Sequence, residues 1–483
     1  MTMVLPPAKL FVGGAWCESE DGRRIEVVNP SDGAVFAAIA RGGARDVDAA
    51  VRAARAAAEG AWGRMPAAER GRVLTRLARA VQDDHETIAR LESADTGKPL
   101  RQGRADATAL ARYFEYYGAA ADKLHGETIP FLDGYTVMTF WEPHGVTGHI
   151  IPWNYPSQIF GRSVGAALAV GNACVVKPAE EACLAILRIA ELGQAAGLPP
   201  GALNVVTGYG AEAGAALAAH PGIDHISFTG SPETGAAVQA AAARNNKPVT
   251  MELGGKSPQL VFADADLDAA LPFLVNAAIQ NAGQTCSAGS RLLVEEAAYE
   301  RVRDAVAARF RQLRAGPSDM DPDVGPLISR RQQERVQGHL DRATADGLAI
   351  AAQGRMAPNA PPGGFYVLPT LVDAVPPAHP LAQEEVFGPV LAAMRFADEA
   401  EALAIANGTS YGLVASVWTR DGGRQMRLAR ALQAGQVFVN NYGAAGGIEL
   451  PFGGVKRSGF GREKGFEGMY GFAALKTVAI RHG

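Results

Sequence analysis

The chain has 483 residues, 48% of them hydrophobic and 20% charged, with a net charge of −4. That length exceeds a single core, so two or three domains are expected, and the lack of a basic block excludes nucleic acid as the main partner. No apolar run approaches the ~20 residues of a membrane span and the N-terminus carries no leader pattern, so a cytoplasmic protein that does not engage a membrane is expected. The four cysteines, Cys17, Cys174, Cys183 and Cys286, show no CxxC spacing. Neither a metal site nor a disulfide framework is therefore expected.

Residues 10–39 read as short strands and turns, with Asn29-Pro30-Ser31-Asp32-Gly33 marking a reversal. Over 46–58, Val47, Ala50, Val51 and Ala54 recur at helical spacing, with Asp46 as N-cap. One helix is predicted over 67–93 and another over 102–117, separated by Gly97-Lys98-Pro99. Residues 127–141 alternate on either side of Asp133-Gly134, which is a hairpin signal. A hairpin inside a helical region suggests an arm that leaves its domain to meet another subunit.

From Gly145 the pattern turns to strand–helix alternation. Strands are predicted over 149–152, 173–176, 203–206, 225–228 and 249–252, with helices over 181–196 and 233–243. This is the pattern of a parallel α/β sheet, in which ligands bind beyond the carboxyl ends of the strands. A second series follows residue 256, with strands over 259–262, 291–294, 390–395 and 414–418. It reads as a second α/β domain joined near residue 255. The tail from Gly471 alternates again and suits pairing with the arm.

Five stretches carry chemistry. The run Gln280–Arg291, QNAGQTCSAGSR, surrounds Cys286 with small polar neighbours, which leave the sulfur open and let backbone N–H groups approach. The plain alternative is a small core cysteine. Ile151-Pro152-Trp153-Asn154-Tyr155-Pro156 follows a strand, and the Asn154 amide suits donation to an oxyanion; the alternative is a simple turn. Lys177 ends a strand, and Glu180 in the next turn suits ribose hydroxyls or merely the helix dipole. If Glu180 meets the ribose, it repels a 2′-phosphate and favours NAD over NADP. Thr229-Gly230-Ser231-Pro232-Glu233-Thr234-Gly235 opens a helix whose N–H groups suit a phosphate, or it is a capped helix start. In Met251-Glu252-Leu253-Gly254-Gly255-Lys256, Glu252 ends a buried strand and suits a general base; the alternative is a salt bridge, for example to Lys256. All nine histidines lie outside these stretches.

With Asn154, Lys177, Glu180, Gly230, Gly235, Glu252 and Cys286 in this order, the sequence resembles the NAD(P)-dependent aldehyde dehydrogenase superfamily over nearly its full length. Glu384-Glu385-Val386-Phe387-Gly388-Pro389 and Pro451-Phe452-Gly453-Gly454-Val455-Lys456-Arg457-Ser458-Gly459 strengthen the resemblance. It implies a Rossmann-like dinucleotide-binding domain (1–123 and 144–255), a second α/β catalytic domain (256–470) and a β-arm (124–143 and 471–483). Assembly as a homodimer or homotetramer is implied too. Carried over by motif, Cys286 is the nucleophile, Glu252 the base, and Asn154 with the Cys286 N–H the oxyanion hole. Lys177 and Glu180 hold the adenosine ribose, Ser231 the pyrophosphate side and Glu385 the nicotinamide ribose. Phe387 packs near the nicotinamide, and Ile151, Pro152, Trp153 and Leu253 line the cofactor. The product is a carboxylic acid, and the substrate a small-molecule aldehyde.

Substrate residues are expected at Arg162, Tyr155, Gly446 and Phe452. Arg162, eight residues after Asn154, suits the distal carboxylate of a semialdehyde, or an ion pair on a helix surface or between subunits. Gln280 stands where succinic semialdehyde-oxidising relatives tend to carry a second arginine. The small residues Gly443-Ala444-Ala445-Gly446-Gly447 suggest a roomy pocket for medium-chain or aromatic aldehydes. A cofactor-free cysteine hydrolase or acyltransferase is the rival class, but it leaves the Lys-Pro-Ala-Glu and Thr-Gly-Ser segments without a job. A CoA-acylating relative would pass its thioester to a thiol, whereas Glu252 favours water.

Overall fold

A computed structural model describes residues 4–483. Its centre is two parallel sheets, each with its own apolar core. The first sheet runs Ala15–Cys17, Leu10–Val12, Leu203–Val205, Ala173–Pro178, Val146–Ile151, His225–Thr229, Val249–Glu252 and Gly459–Phe460. The five strands from Leu203–Val205 to Val249–Glu252 are parallel. They are buried because helices cover both faces, which is why their sequences are apolar runs rather than alternations. Numbered by appearance in the chain, those five lie in the order 3-2-1-4-5. Strand order therefore reverses between Val146–Ile151 and His225–Thr229, and a crevice opens there at the carboxyl ends.

The second sheet runs Ile350–Gln353, Thr370–Val372, Val390–Phe396, Arg291–Glu295, Pro258–Val261, Val414–Trp418 and Gln436–Val439, parallel except at its first strand. A third, small sheet pairs Ala473–Arg481 antiparallel with Tyr135–Pro143, and the latter with Thr128–Ile129.

Three local expectations are corrected. The helix read over 67–93 is two helices, Ala67–Asp83 and His85–Thr96. They break at Asp84, whose carboxylate accepts from Arg188 Nε at 2.6 Å. That bond ties the break to a neighbouring helix, a partner invisible to local periodicity. Asp46 is not the N-cap of helix Ala44–Glu59; Gly43 is, and the Asp46 carboxylate reaches back to the Gly43 N–H at 2.8 Å. Finally, Gly459–Phe460 falls in the stretch read as the second domain but adds an antiparallel edge strand to the first sheet, opposite Glu252 and Met251.

Candidate functional site

The crevice at the switch point is lined from the first sheet by three strand ends. Beyond Val146–Ile151 come Pro152 and Trp153. Beyond Ala173–Pro178, the buried Lys177 ammonium pairs with Glu180 at 2.9 Å. After His225–Thr229, Gly230 leads to Ser231, whose hydroxyl accepts from the Thr234 N–H at 3.2 Å and caps the 12-residue helix Pro232–Ala243. Gly235, one turn in, packs on Leu253; a Cβ there would stand 2.7 Å from its Cδ2. A helix N-terminus thus stands at this strand's carboxyl end; Pro232 has no N–H, and Ser231 holds those of Thr234 and Gly235, so the helix dipole and the Glu233 N–H are what it presents to a pyrophosphate.

The second sheet supplies the opposite wall. Glu385 reaches across to accept from the Gly255 N–H at 2.8 Å. A Cβ on Gly254 would collide with the Glu385 carboxylate, and one on Gly255 with the Cys286 carbonyl, so both glycines are needed where the two sheets meet. Burial pushes Glu385 up to about 7. Phe387 sits at φ 58°, in the left-handed region, and its ring meets Trp153 edge-on with centroids 5.4 Å apart. Gln332 Nε2 holds that strained turn by donating to the Phe387 carbonyl at 2.8 Å.

The Cys286 loop is tied to the Asn154 turn. Asn281, Ala282 and Gly283 are successively left-handed, with φ of 50°, 55° and 71°. This coil reverses the chain after helix Leu267–Ile279. Asn281 Nδ2 donates to the Asn154 carbonyl at 2.8 Å, and Asn154 Nδ2 donates to the Gln284 carbonyl at 3.1 Å. Gln284 Oε1 in turn accepts from the Ile328 N–H at 2.9 Å. Cys286 itself is partly exposed, unlike Cys174 and Cys183. Burial of its surroundings pushes the thiol up to about 12; Arg162 pulls it down and Glu252 pushes it further up.

Glu252 is buried, and neither carboxylate oxygen has a hydrogen-bond partner among the described residues. Burial drives it well above the usual carboxylate range, with Arg162 opposing. The salt bridge to Lys256 weighed from sequence does not form. Lys256 is buried separately, and burial beside Arg291 pulls its ammonium down to about 7.

Arg162 is not on a helix surface. It lies buried on helix Pro156–Val170, ion-paired with Glu463 and donating to Thr229 Oγ1 at 3.2 Å. Its guanidinium stands 5.0 Å over the Phe452 ring. With its charge taken by Glu463 of the same chain, Arg162 is not a free cation for a substrate carboxylate. Around Cys286, Leu413, Val414, Phe438 and Phe452 form an apolar patch joined by Tyr442 and Ala444. Tyr155 is half-buried, with the Lys98 ammonium 4.3 Å over its ring. Gly446 is exposed at the tip of the neighbouring loop.

Sequence reasoning passed over Asn281, Gln284, Tyr442 and Glu463. The first two lie in the stretch that marked Cys286, and a small polar run that must fold back on itself was their signal. Glu463 and Tyr442 carried none, because their partners lie far away in the chain, Ser287 being 155 residues from Tyr442 and Ser227 236 from Glu463. Among the described residues, no group of three His, Cys, Asp or Glu side chains is placed to hold a metal ion, and no helix is long and apolar enough to cross a membrane.

Fold and crevice together define a two-sheet α/β enzyme with a Rossmann-like dinucleotide site facing a partly exposed cysteine. Comparison with known proteins gives the family. The Aldehyde dehydrogenase family model matches residues 16–478. The chain is 41% identical to human (Homo sapiens) retinal dehydrogenase 2, over 98% of this chain and 92% of that protein. It is also 41% identical to hydroxyisobutyraldehyde dehydrogenase of Mycolicibacterium austroafricanum, over 99% and 95%. The crystal structure of Staphylococcus aureus betaine aldehyde dehydrogenase with NAD+ superposes with a TM-score of 0.95 at 34% identity, covering 99% of this chain and 95% of that one. A Burkholderia cenocepacia protein assigned as an aldehyde dehydrogenase superposes at 0.98 with 67% identity, covering 98% and 100%. The chain belongs to the aldehyde dehydrogenase family. It is an oxidoreductase that acts on aldehydes with a nicotinamide dinucleotide.

Proposed function

We propose that Cys286 is the nucleophile of this oxidation, Asn154 and the Cys286 N–H its oxyanion donors, and Glu252 its general base. The observation that carries this reading is the Glu252 carboxylate. Among the described residues it is buried with no hydrogen-bond partner, in electrostatic reach of the partly exposed residue Cys286. A structural carboxylate in that position is costly.

The sulfur adds to the aldehyde carbon, losing its proton as the C–S bond forms. Arg162 favours the thiolate against burial. One N–H of the Asn154 amide is spent on Gln284, leaving the second for the oxyanion. The dinucleotide, when bound, accepts the hydride that leaves this adduct. Cys286 then carries a thioester. Glu252, made a stronger base by its buried setting, takes a proton from water, which attacks the acyl carbon. The acid departs and the thiol is restored.

For the cofactor, Lys177 and Glu180 suit the adenosine ribose. Gly230 and Gly235 carry no side chain to block the pyrophosphate, and Ser231 stands at the helix N-terminus beside it. Ile151, Pro152, Trp153 and Leu253 line the path, Glu385 suits the nicotinamide ribose, and Phe387 backs the ring. The Glu180 carboxylate repels a 2′-phosphate, so NAD is preferred over NADP. Residues 1–123 with 144–255 act as the dinucleotide-binding unit and 256–470 as the catalytic unit. Residues 124–143 with 471–483 form an arm that mates in a homodimer or homotetramer, and the protein works in the cytoplasm.

The apolar patch at Cys286 and the small loop at Gly446 favour medium-chain or aromatic aldehydes, with Tyr155 and Phe452 as walls. A kinetic panel of aldehydes with NAD and with NADP, read by nicotinamide absorbance, tests this. Turnover confined to short semialdehydes overturns the substrate reading, and equal use of NADP overturns the cofactor preference.

A further inference from the structure

We propose that Lys464 is a specificity-determining residue that selects aldehydes bearing an anionic group, such as a carboxylate, at the end away from the carbonyl. The proposal rests on the reading of the apolar patch at Cys286 as the substrate pocket.

Lys464 follows Glu463 and sits at φ 60°, in the left-handed region that a long side chain rarely adopts. That backbone turn sends its ammonium toward the pocket. Nζ lies 5.9 Å from the centroid of Phe452, the ring that packs against Cys286. It donates to the Gly446 carbonyl on the entrance loop at 2.8 Å. Among the described residues its other two N–H donors make no hydrogen bond.

Among the described residues no carboxylate pairs with it directly; the Glu449 charge supports its ammonium only from a distance. Glu463 next door is taken by Arg162, and Glu449 by Arg112 at 2.8 Å. Lys464 forms no salt bridge among the described residues, although much of its side chain is withdrawn from water. Burial and the Arg162 charge pull its ammonium down to about 8, so it is still mostly protonated at neutral pH. Phe452 thus lies within reach of two cations. Arg162, the buried one, has a carboxylate partner; Lys464, at the mouth, has none. An aldehyde whose carbonyl meets Cys286 and whose body packs on Phe452 has its far end beside Lys464. A carboxylate there gains a charge-assisted hydrogen bond that a neutral tail cannot make.

The test compares para-formylbenzoate with its methyl ester, which has the same ring and aldehyde but no charge. The wild type is expected to show a kcat/KM for the acid about tenfold above that for the ester. Lys464→Met is expected to bring that ratio close to one, and Lys464→Arg to restore most of it. The same ratio in wild type and Lys464→Met overturns the proposal. If Lys464→Met loses both substrates, the ratio is read from Lys464→Gln against Lys464→Arg, and equal ratios there overturn it. Failure of the wild type to oxidise the ester overturns the neutral-pocket reading instead. Loss of para-formylbenzoate turnover in Lys464→Gln, with recovery in Lys464→Arg, still supports Lys464 in that case.

Discussion

In the proposed mechanism, three side chains around one carbonyl position carry the chemistry, and each does a separable job. Cys286→Ala removes the only group that forms the covalent bond, so aldehyde oxidation is expected to fall at least about a thousandfold while NAD binding persists. Titration of cofactor fluorescence against turnover checks both halves. Glu252→Gln keeps the shape but not the base. It should slow hydrolysis of the acyl-enzyme, so rapid mixing is expected to show a burst of reduced nicotinamide; a lag-free trace with no burst contradicts the role. Asn154→Ala removes one oxyanion donor and is expected to cost about 100–1,000-fold in kcat. Glu385 adds a pH dependence. Its folded value is raised to about 7, so the carboxylate needed to accept from a ribose hydroxyl is present above that pH and is lost below it. The Kd for NAD should therefore rise as pH falls through about 7, and Glu385→Gln should flatten that slope in a calorimetric titration.

Between elements, buried polar contacts do the aligning. Helices His85–Thr96, Leu100–Ala120 and Pro156–Val170 converge on Lys98, which is fully buried with Glu92 and Asp106. Glu92 also accepts from the Ser157 hydroxyl, at the start of the helix that follows Asn154. Gln102, from the same region, accepts from the Asn281 N–H at 3.0 Å, linking these helices to the cysteine loop. Burial pushes Asp106 up to about 8, with Lys98 opposing and Glu92 adding to the rise. Lys98→Met leaves both acids without a counter-charge and is expected to cost about 3–5 kcal/mol. Chemical denaturation against the wild type measures this. A shift no larger than that of a surface substitution would show the acids relaxing to neutral forms at little cost.

At the scale of the molecule, a crevice between two sheets holds the groups proposed to react. Glu252 ends a strand of the first, Cys286 precedes a strand of the second, and Gly254-Gly255 lets the two approach. The three-stranded sheet stands apart from both. Its strand Ala473–Arg481 is mostly exposed, with Leu475 and Ile480 open to solvent, as are Phe131 and Leu132 beside the hairpin. Open edges and apolar side chains of this kind are usually covered by a partner. Deleting residues 473–483 is expected to reduce the proposed homo-oligomer to monomers in sedimentation velocity. An unchanged sedimentation coefficient would place the subunit contact elsewhere.

The five parallel strands of the first sheet, four of the second sheet's seven and the hairpin at Asp133-Gly134 were legible in the residues alone, and the stretches around Asn154, Glu252 and Cys286 stood out there as candidates. Periodicity and glycine placement are local properties, and a reactive residue among small neighbours stands out in any frame. The break at Asp84, the return of Gly459–Phe460 to the first sheet and the capture of Arg162 by Glu463 were not legible. Each depends on a partner distant in the chain, and a charge reads the same in sequence whether it is paired or free. Tertiary packing alone decided which of two cations beside Phe452 took a carboxylate partner and which, among the described residues, forms no salt bridge. Buried charges settle by proximity and desolvation, and neither is written in the order of residues.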